Sequence, residues 1–197
     1  MTSVEVSRRV LLNEAAIRRT LARMAHEILE RNRGTERLAL VGVVRKGDIL
    51  AARLREQIRQ AEGVEVPLGR LDITLYRDDL FRTGPQSVLR PTEIPFDLDD
   101  RVLVLVDDVL YTGRTTRAAL DALMDFGRPR AIQLAVLIDR GHRELPIQPD
   151  YVGHAVRTGR EELVEVKLKE ESGEDSVSLL EPECFEAGLR VRCPREG

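Results

Sequence analysis

Three apolar runs in this chain each break off at charged residues. Leu38-Ala39-Leu40-Val41-Gly42-Val43-Val44 gives way to Arg45-Lys46-Gly47-Asp48, and Val102-Leu103-Val104-Leu105-Val106 gives way to Asp107-Asp108. Ala131-Ile132-Gln133-Leu134-Ala135-Val136-Leu137-Ile138 runs into Asp139-Arg140-Gly141-His142-Arg143-Glu144-Leu145-Pro146. Unbroken apolar runs of this length are what strands need when helices cover both faces of a parallel sheet. Parallel strands place their carboxyl ends at one edge, and ligands of open α/β sheets sit outside that edge. The expected class is α/β, with a central, mainly parallel sheet flanked by helices and the three polar loops gathered on one side.

The middle run is the most informative. After Asp107-Asp108, the segment Tyr111-Thr112-Gly113-Arg114-Thr115-Thr116 turns the chain into a helix. Free N–H groups at that helix start, with three threonine hydroxyls, make a seat for a phosphate dianion. Carboxylates at the strand end suit a ribose diol or a Mg²⁺ a few ångströms away. A solvated turn or a simple helix cap would explain each piece alone; the strand–loop–helix order joins them into one site for a phosphorylated ribose. The nucleoside-triphosphate loop Gly-x-x-x-x-Gly-Lys-Ser/Thr is absent.

At 197 residues, 42% hydrophobic and 33% charged, the chain is long enough for one well-buried domain and short for two. Its net charge of -3 argues against a generic polycation, although arginines crowd the first third and acidic residues dominate positions 161 to 183. No apolar stretch approaches the ~20 residues of a membrane span and no apolar signal core follows the N-terminus, so a cytoplasmic protein without membrane contact is expected. Cys184 and Cys193 lack partners for a zinc site and are expected to be free thiols.

Residues 13 to 33 have helical spacing, with Asn13 as N-cap and Ile17, Leu21, Ala25, Ile28 and Leu29 toward the core. Arg19, Arg23 and His26, beside Arg18, stack positive charge on the opposite face. An ordinary solvated face and an anion-binding stripe are both open there. Arg45 and Lys46, ahead of Gly47 and a helix with Ile49, Leu50, Leu54 and Ile58 inward, suit a second anion such as pyrophosphate. Val64 to Tyr76 alternates as an edge strand or hairpin arm does, and residues 77 to 97 lose periodicity, as a lid does. The helix after Arg114 should bury Ala118, Leu120, Leu123, Met124 and Phe126. Short strands follow at 151–156 and 163–168. Residues 169–197 form an acidic C-terminal extension, expected to pack weakly beyond a single domain at 1–168.

Ala16 to Arg19, Asp72 to Leu80, Val106 to Thr115 and Asp139 to Pro146 together resemble the family of bifunctional pyrimidine operon attenuators and uracil phosphoribosyltransferases, over about residues 10 to 168. The resemblance implies a type I phosphoribosyltransferase fold with a flexible hood loop led by Tyr76, Arg77, Asp78 and Asp79. It implies two activities. One converts uracil and phosphoribosyl pyrophosphate (PRPP), with Mg²⁺, to UMP and pyrophosphate; the other is binding to pyrimidine-operon leader mRNA under control of UMP or UTP. A homo-oligomer, dimer or higher, is implied as well.

Carried over by position, the PRPP motif comprises Leu103, Val104, Leu105, Val106, Asp107, Asp108, Val109, Leu110, Tyr111, Thr112, Gly113, Arg114 and Thr115. Arg45, Lys46, Gly47 and Arg77 serve pyrophosphate, and Ile138, Asp139 and Arg140 line the uracil end. Asp107, Asp108, Arg45 and Lys46 carry the catalysis, with the two aspartates meeting the metal through PRPP-bound Mg²⁺. Arg18, Arg19, Arg23, His26 and Arg143 are the expected RNA contacts. Tyr111 stands where purine-salvage enzymes usually place an aspartate for the purine ring, which favours uracil. Ala22 stands where a threonine is commoner and Gln148 where a basic residue is expected, both on segments the family uses for RNA. A salvage enzyme that has lost RNA binding and a non-catalytic nucleotide sensor are the competing readings.

Overall fold

The computed structural model of the chain describes residues 3–77, 91–186 and 189–191. In chain order the elements are β1 (Ser3–Asn13), α1 (Glu14–Asn32), β2 (Leu38–Val43), α2 (Gly47–Glu62) and β3 (Leu68–Leu71). A 3₁₀ turn (Thr74–Tyr76) follows, then β4 (Val102–Leu110), α3 (Arg114–Met124), β5 (Ala131–Asp139) and β6 (Tyr151–Ala155). The chain continues through β7 (Leu163–Lys167), α4 (Lys169–Ser172), β8 (Ser176–Glu186) and β9 (Leu189–Val191). These elements form two compact units, residues 18–156 and residues 1–17 with 157–197.

The first unit holds the parallel sheet expected from the apolar runs, in the order β3-β2-β4-β5-β6. All six residues of β2 are buried, as are Leu103 to Asp107 of β4 and Leu134 to Ile138 of β5. Ala39, Val41, Leu103 and Leu105 share one cluster with Ala118, Ala119, Ala122 and Leu123 of α3. After β2 the chain moves outward to β3 and returns to β4 on β2's other side. The reversal opens a crevice at the carboxyl ends of β2 and β4.

The structure corrects several sequence expectations. β4 does not stop at the aspartates; it runs on to Leu110, because β5 keeps pairing with it through Val109↔Ile138 and Leu110↔Asp139. Its other neighbour stops earlier, at Gly42↔Val106. Met124 and Phe126 are 55% and 46% exposed, not buried, because α3 ends at Met124 and its inward stripe is completed by the alanines. Of the alternating segment 64–76, only Leu68–Leu71 is a strand, at the sheet edge beside β2; Thr74–Tyr76 closes instead into a 3₁₀ turn. The amide of Thr74 donates to Asp72 Oδ1 at 2.8 Å, an aspartate turn that competes with strand continuation.

In the second unit, β8 lies between β1 on one side and β7 on the other, all antiparallel, and β9 also pairs with β8. Residues 176–181 are therefore not weakly packed: Val177, Ser178 and Leu179 are at most 1% exposed. Their short apolar segment is preceded by acidic residues that hide it in composition, and its main partner is the other end of the chain. β1 was not anticipated, since Arg8 and Arg9 interrupt its pattern; they face Glu165 at 2.8 Å and Glu181 at 3.7 Å. Asp78, Asp79, Cys193 and the side chain of Cys184 lie outside the described residues, so the leading edge of the hood and the free thiols are not described. Among the described residues, no helix is long and apolar enough to cross a membrane.

Candidate active site

Because β4 outruns β2, the last part of β4 has a strand on one side only, and the aspartate pair lies in that part. Asp107 is 7% exposed and Asp108 is half-buried. Asp107 Oδ1 accepts from the amide of Asp108, and Asp108 Oδ1 from that of Val109, both at 2.9 Å. Burial, and then the neighbouring charge of Asp108, push the Asp107 carboxyl well above the usual carboxylate range, while Lys46 pulls the other way. Lys46 Nζ is 3.5 Å from Asp108 Oδ2. The loop after β2 thus delivers its ammonium to the second aspartate.

That loop is seated by two opposed glycines. A Cβ at Gly47 would collide with the Val106 carbonyl oxygen, and one at Gly42 would collide with the backbone of Gly47 and Asp48. A side chain at Gly47 would move β4 away from the start of α2, and one at Gly42 would move β2 away from it. The Val44–Arg45 peptide is cis, and Lys46 has φ 46°. Asp48, on the first turn of α2, accepts from Arg70 Nε at 3.0 Å and Nη2 at 2.8 Å. Arg70 in turn exchanges backbone bonds of 2.8 and 2.9 Å with Glu93, on the returning arm of the 77–97 segment. Arg45 is exposed.

A cavity of about 640 Å³ opens beside the end of β4, lined by Arg77, Val109 to Thr116 and Glu144. Gly113, at φ 92°, makes the left-handed turn into α3. The carbonyls here are all engaged: Leu110 O accepts from the Arg140 amide at 3.1 Å, and Thr112 O from the amides of Glu144 and Leu145 at 2.9 and 3.2 Å. Tyr111 O accepts from Arg143 Nη1 at 3.0 Å, and Gly113 O from the Arg117 amide at 2.9 Å. In a trans peptide the C=O and the following N–H point opposite ways. With its carbonyls drawn to the 139–147 segment, the loop turns amides toward the cavity, which is what a phosphate dianion requires.

The 139–147 segment also builds the neighbouring wall. Arg140 is 5% exposed, and its guanidinium carbon is 4.1 Å from the Tyr111 ring centroid. His142 meets the same ring edge-on at 5.8 Å. Ile138 is fully buried, and Asp139 Oδ2 accepts from Arg143 Nη2 at 2.7 Å. Arg114 pairs with Glu144 at 2.8 Å across the cavity mouth.

Of the expected site residues, Val109 to Thr115 and Arg77 line the cavity; Asp107, Asp108, Arg45, Lys46, Gly47, Ile138, Asp139 and Arg140 do not, although Lys46 meets Asp108 and Arg140 stacks on the Tyr111 ring. Leu103, Val104, Leu105 and Val106, expected as part of the PRPP motif, are at most 1% exposed and form the strand beneath the site. Thr116, the third threonine of the expected phosphate seat, lines the cavity, and so does Glu144, which stands in the third polar loop but was given no role of its own. Arg18, Arg19, Arg23 and His26 are exposed on α1 and contribute nothing to the cavity. Arg23 donates to the carbonyls of Val152 at 3.0 Å and Gly153 at 2.6 Å, and to Glu27 at 2.6 Å. Arg143 has 15% of its side chain exposed.

Comparison with known proteins agrees with this construction. The bifunctional protein PyrR of Deinococcus radiodurans is 60% identical over 173 residues, covering 88% of this chain and 94% of that protein. The namesake from Thermus aquaticus is 61% identical over 173 residues, with 88% and 96% covered. Among solved structures, hypoxanthine phosphoribosyltransferase of Trypanosoma cruzi superposes with a TM-score of 0.66 at 18% identity, covering 89% of this chain and 97% of that one. A hypoxanthine-guanine phosphoribosyltransferase of Bacillus anthracis gives 0.64 at 17%, covering 90% and 99%. At that identity the two share the fold, the type I phosphoribosyltransferase fold. The family described as phosphoribosyl transferase domain matches residues 8–170, and the chain belongs to it, in the company of the bifunctional PyrR proteins.

Proposed function

We propose that this protein transfers the phosphoribosyl group of PRPP to uracil, giving UMP and pyrophosphate, and that it regulates pyrimidine-operon expression through UMP- or UTP-dependent binding of leader mRNA. The observation that carries the catalytic reading is the shared wall. The 139–147 segment, which carries the base-side residues, holds the carbonyls of Leu110, Tyr111 and Thr112, an arrangement that leaves the amides following them free to turn to the cavity. The 5′-phosphate sits at Thr112 to Thr115, the ribose beside Asp107 and Asp108, and the base near Ile138, Asp139 and Arg140. Arg45, Lys46, Gly47 and Arg77 receive pyrophosphate.

As the bond from the anomeric carbon to pyrophosphate breaks, the ribose gains oxocarbenium character, which the two aspartates stabilise, and uracil N1 attacks the same carbon while its proton passes to water. Among the described residues no group of three or more His, Cys, Asp or Glu side chains is arranged to hold a metal. The two neighbouring aspartates suit a Mg²⁺ that arrives on PRPP, where it neutralises the leaving pyrophosphate. These substrate contacts all fall within residues 1–168, ahead of the acidic extension at 169–197. The protein works in the cytoplasm as a homo-oligomer.

UMP formation from uracil, PRPP and Mg²⁺ tests the enzyme, with hypoxanthine and orotate as competitors. Uracil is the expected preferred base; equal or faster turnover of either competitor rejects the assignment. The RNA role rests on the exposed Arg18, Arg19, Arg23 and His26 of α1, and on the name of the relatives, bifunctional protein PyrR. UMP should tighten leader-RNA binding, and by linkage RNA should tighten UMP binding by the same factor. Binding of leader RNA no better than of unrelated RNA would leave an enzyme alone.

A further inference from the structure

Arg143 was expected among the RNA contacts, yet its guanidinium is spent inside the site. Nε donates to Ile147 O at 3.0 Å, Nη1 to Tyr111 O at 3.0 Å and Gly141 O at 3.2 Å, and Nη2 to Asp139 Oδ2 at 2.7 Å. Four of the five N–H groups of an arginine are thereby used. Three bonds close the 139–147 segment on itself; the fourth crosses to the phosphate loop.

We infer that Arg143 is a positioning residue for phosphoribosyl transfer: its planar fork locks the base-side loop to the Tyr111 carbonyl, fixing together the amides that meet the 5′-phosphate and the Tyr111–Arg140 stack. The geometry explains why one residue serves both. Tyr111 contributes its carbonyl to Arg143 and its ring to Arg140, 4.1 Å away. If the carbonyl swings free, the peptide plane between Tyr111 and Thr112 can rotate and take the Thr112 amide with it, and the Tyr111 backbone loses the anchor that holds its ring against Arg140. A lysine cannot replace the fork, because a single ammonium does not satisfy four acceptors set around a plane.

The inference rests on the uracil phosphoribosyltransferase reading, and the same assay separates the two. Arg143→Gln and Arg143→Lys are compared with the unsubstituted protein for kcat, for KM of PRPP and of uracil, for thermal stability and for leader-RNA affinity. Both variants should raise KM for both substrates together, by about tenfold or more each, and Arg143→Lys should not restore either. For Arg143→Ala, added methylguanidinium should recover activity in a saturable way, which a general packing defect does not permit. Unchanged KM values with weaker RNA binding would make Arg143 an RNA contact and overturn the inference. So would unchanged KM values with a lowered melting temperature alone. If Arg143→Gln does not fold, Arg143→Lys, which keeps the charge and the aliphatic stem, decides the question. No UMP formation by the unsubstituted protein would instead reject the reading on which the inference stands.

Discussion

Replacing Gly47 with alanine sets two effects of known size against each other. Gly47 opens α2, so alanine gains helix propensity, up to about 1 kcal/mol in a helix interior and only a few tenths at a first position. Against this, the new Cβ would collide with the Val106 carbonyl oxygen and lie 3.2 Å from Asp107 Cα. Those are backbone atoms of the central strand, so no side-chain rotation relieves the clash. The loop must retreat by roughly 1 Å, and overpacking of this kind costs about 1–3 kcal/mol. Sterics win, and the variant should lose about 1–2 kcal/mol, a fall in Tm on the order of 2–8 °C for a chain of this size.

The larger effect falls on function, because the retreating loop takes Lys46 away from Asp108, now 3.5 Å distant. A misplacement of about 1 Å can cost on the order of 100-fold in rate. Steady-state kinetics with varied PRPP, beside a thermal melt, measures both. A Gly47→Ala protein with unchanged KM for PRPP and an equal or higher Tm would refute the close-approach reasoning.

Three further outcomes follow from the site. Asp107→Asn should abolish most turnover yet raise Tm near neutral pH, since it removes a carboxyl whose ionisation burial opposes and keeps the Oδ1 acceptor for the Asp108 amide. A raised folded pKa gives stability that is full below the ordinary carboxylate value and fades as pH rises through the folded one, so the Tm gap should close below about pH 4; a gap that widens in acid would contradict the sign. Arg19→Gln should lower the log–log salt slope of leader-RNA binding by about 0.7–0.9 with UMP formation intact, and an unaltered slope would remove Arg19 from the interface. Arg23→Gln should also lower Tm, because Arg23 donates to the Val152 and Gly153 carbonyls in the first half of β6; equal melting of the two variants would argue against that tether.

The sheet and the phosphate loop were legible because each depends on local sequence. Apolar runs such as Leu38–Val44 can only be strands covered on both faces, and the Thr-Gly-Arg-Thr turn carries its chemistry in consecutive residues. What was not legible depends on distant partners. β1 and β8 pair across the chain, from Ser3↔Phe185 to Asn13↔Ser176, and neither strand has a pattern strong enough to reveal it alone. Arg143 was expected to meet RNA, and nothing in the sequence states that the Tyr111 carbonyl, 32 residues earlier, would stand within 3.0 Å of it. Met124 continued an apolar stripe that the helix no longer needed, and only the end of α3 shows why.

Strand β4 changes its work at a single peptide bond. Up to Val106 it has neighbours on both sides, β2 and β5; from Asp107 onward β5 alone accompanies it. In a library of single substitutions along this strand, variants before the boundary should alter how much folded protein a cell accumulates, with each surviving molecule working at its normal pace. Variants at Asp107 and Asp108, just after it, should leave abundance nearly level while the output per molecule collapses. Measured against each other, yield and specific activity should therefore trade places between two adjacent residues.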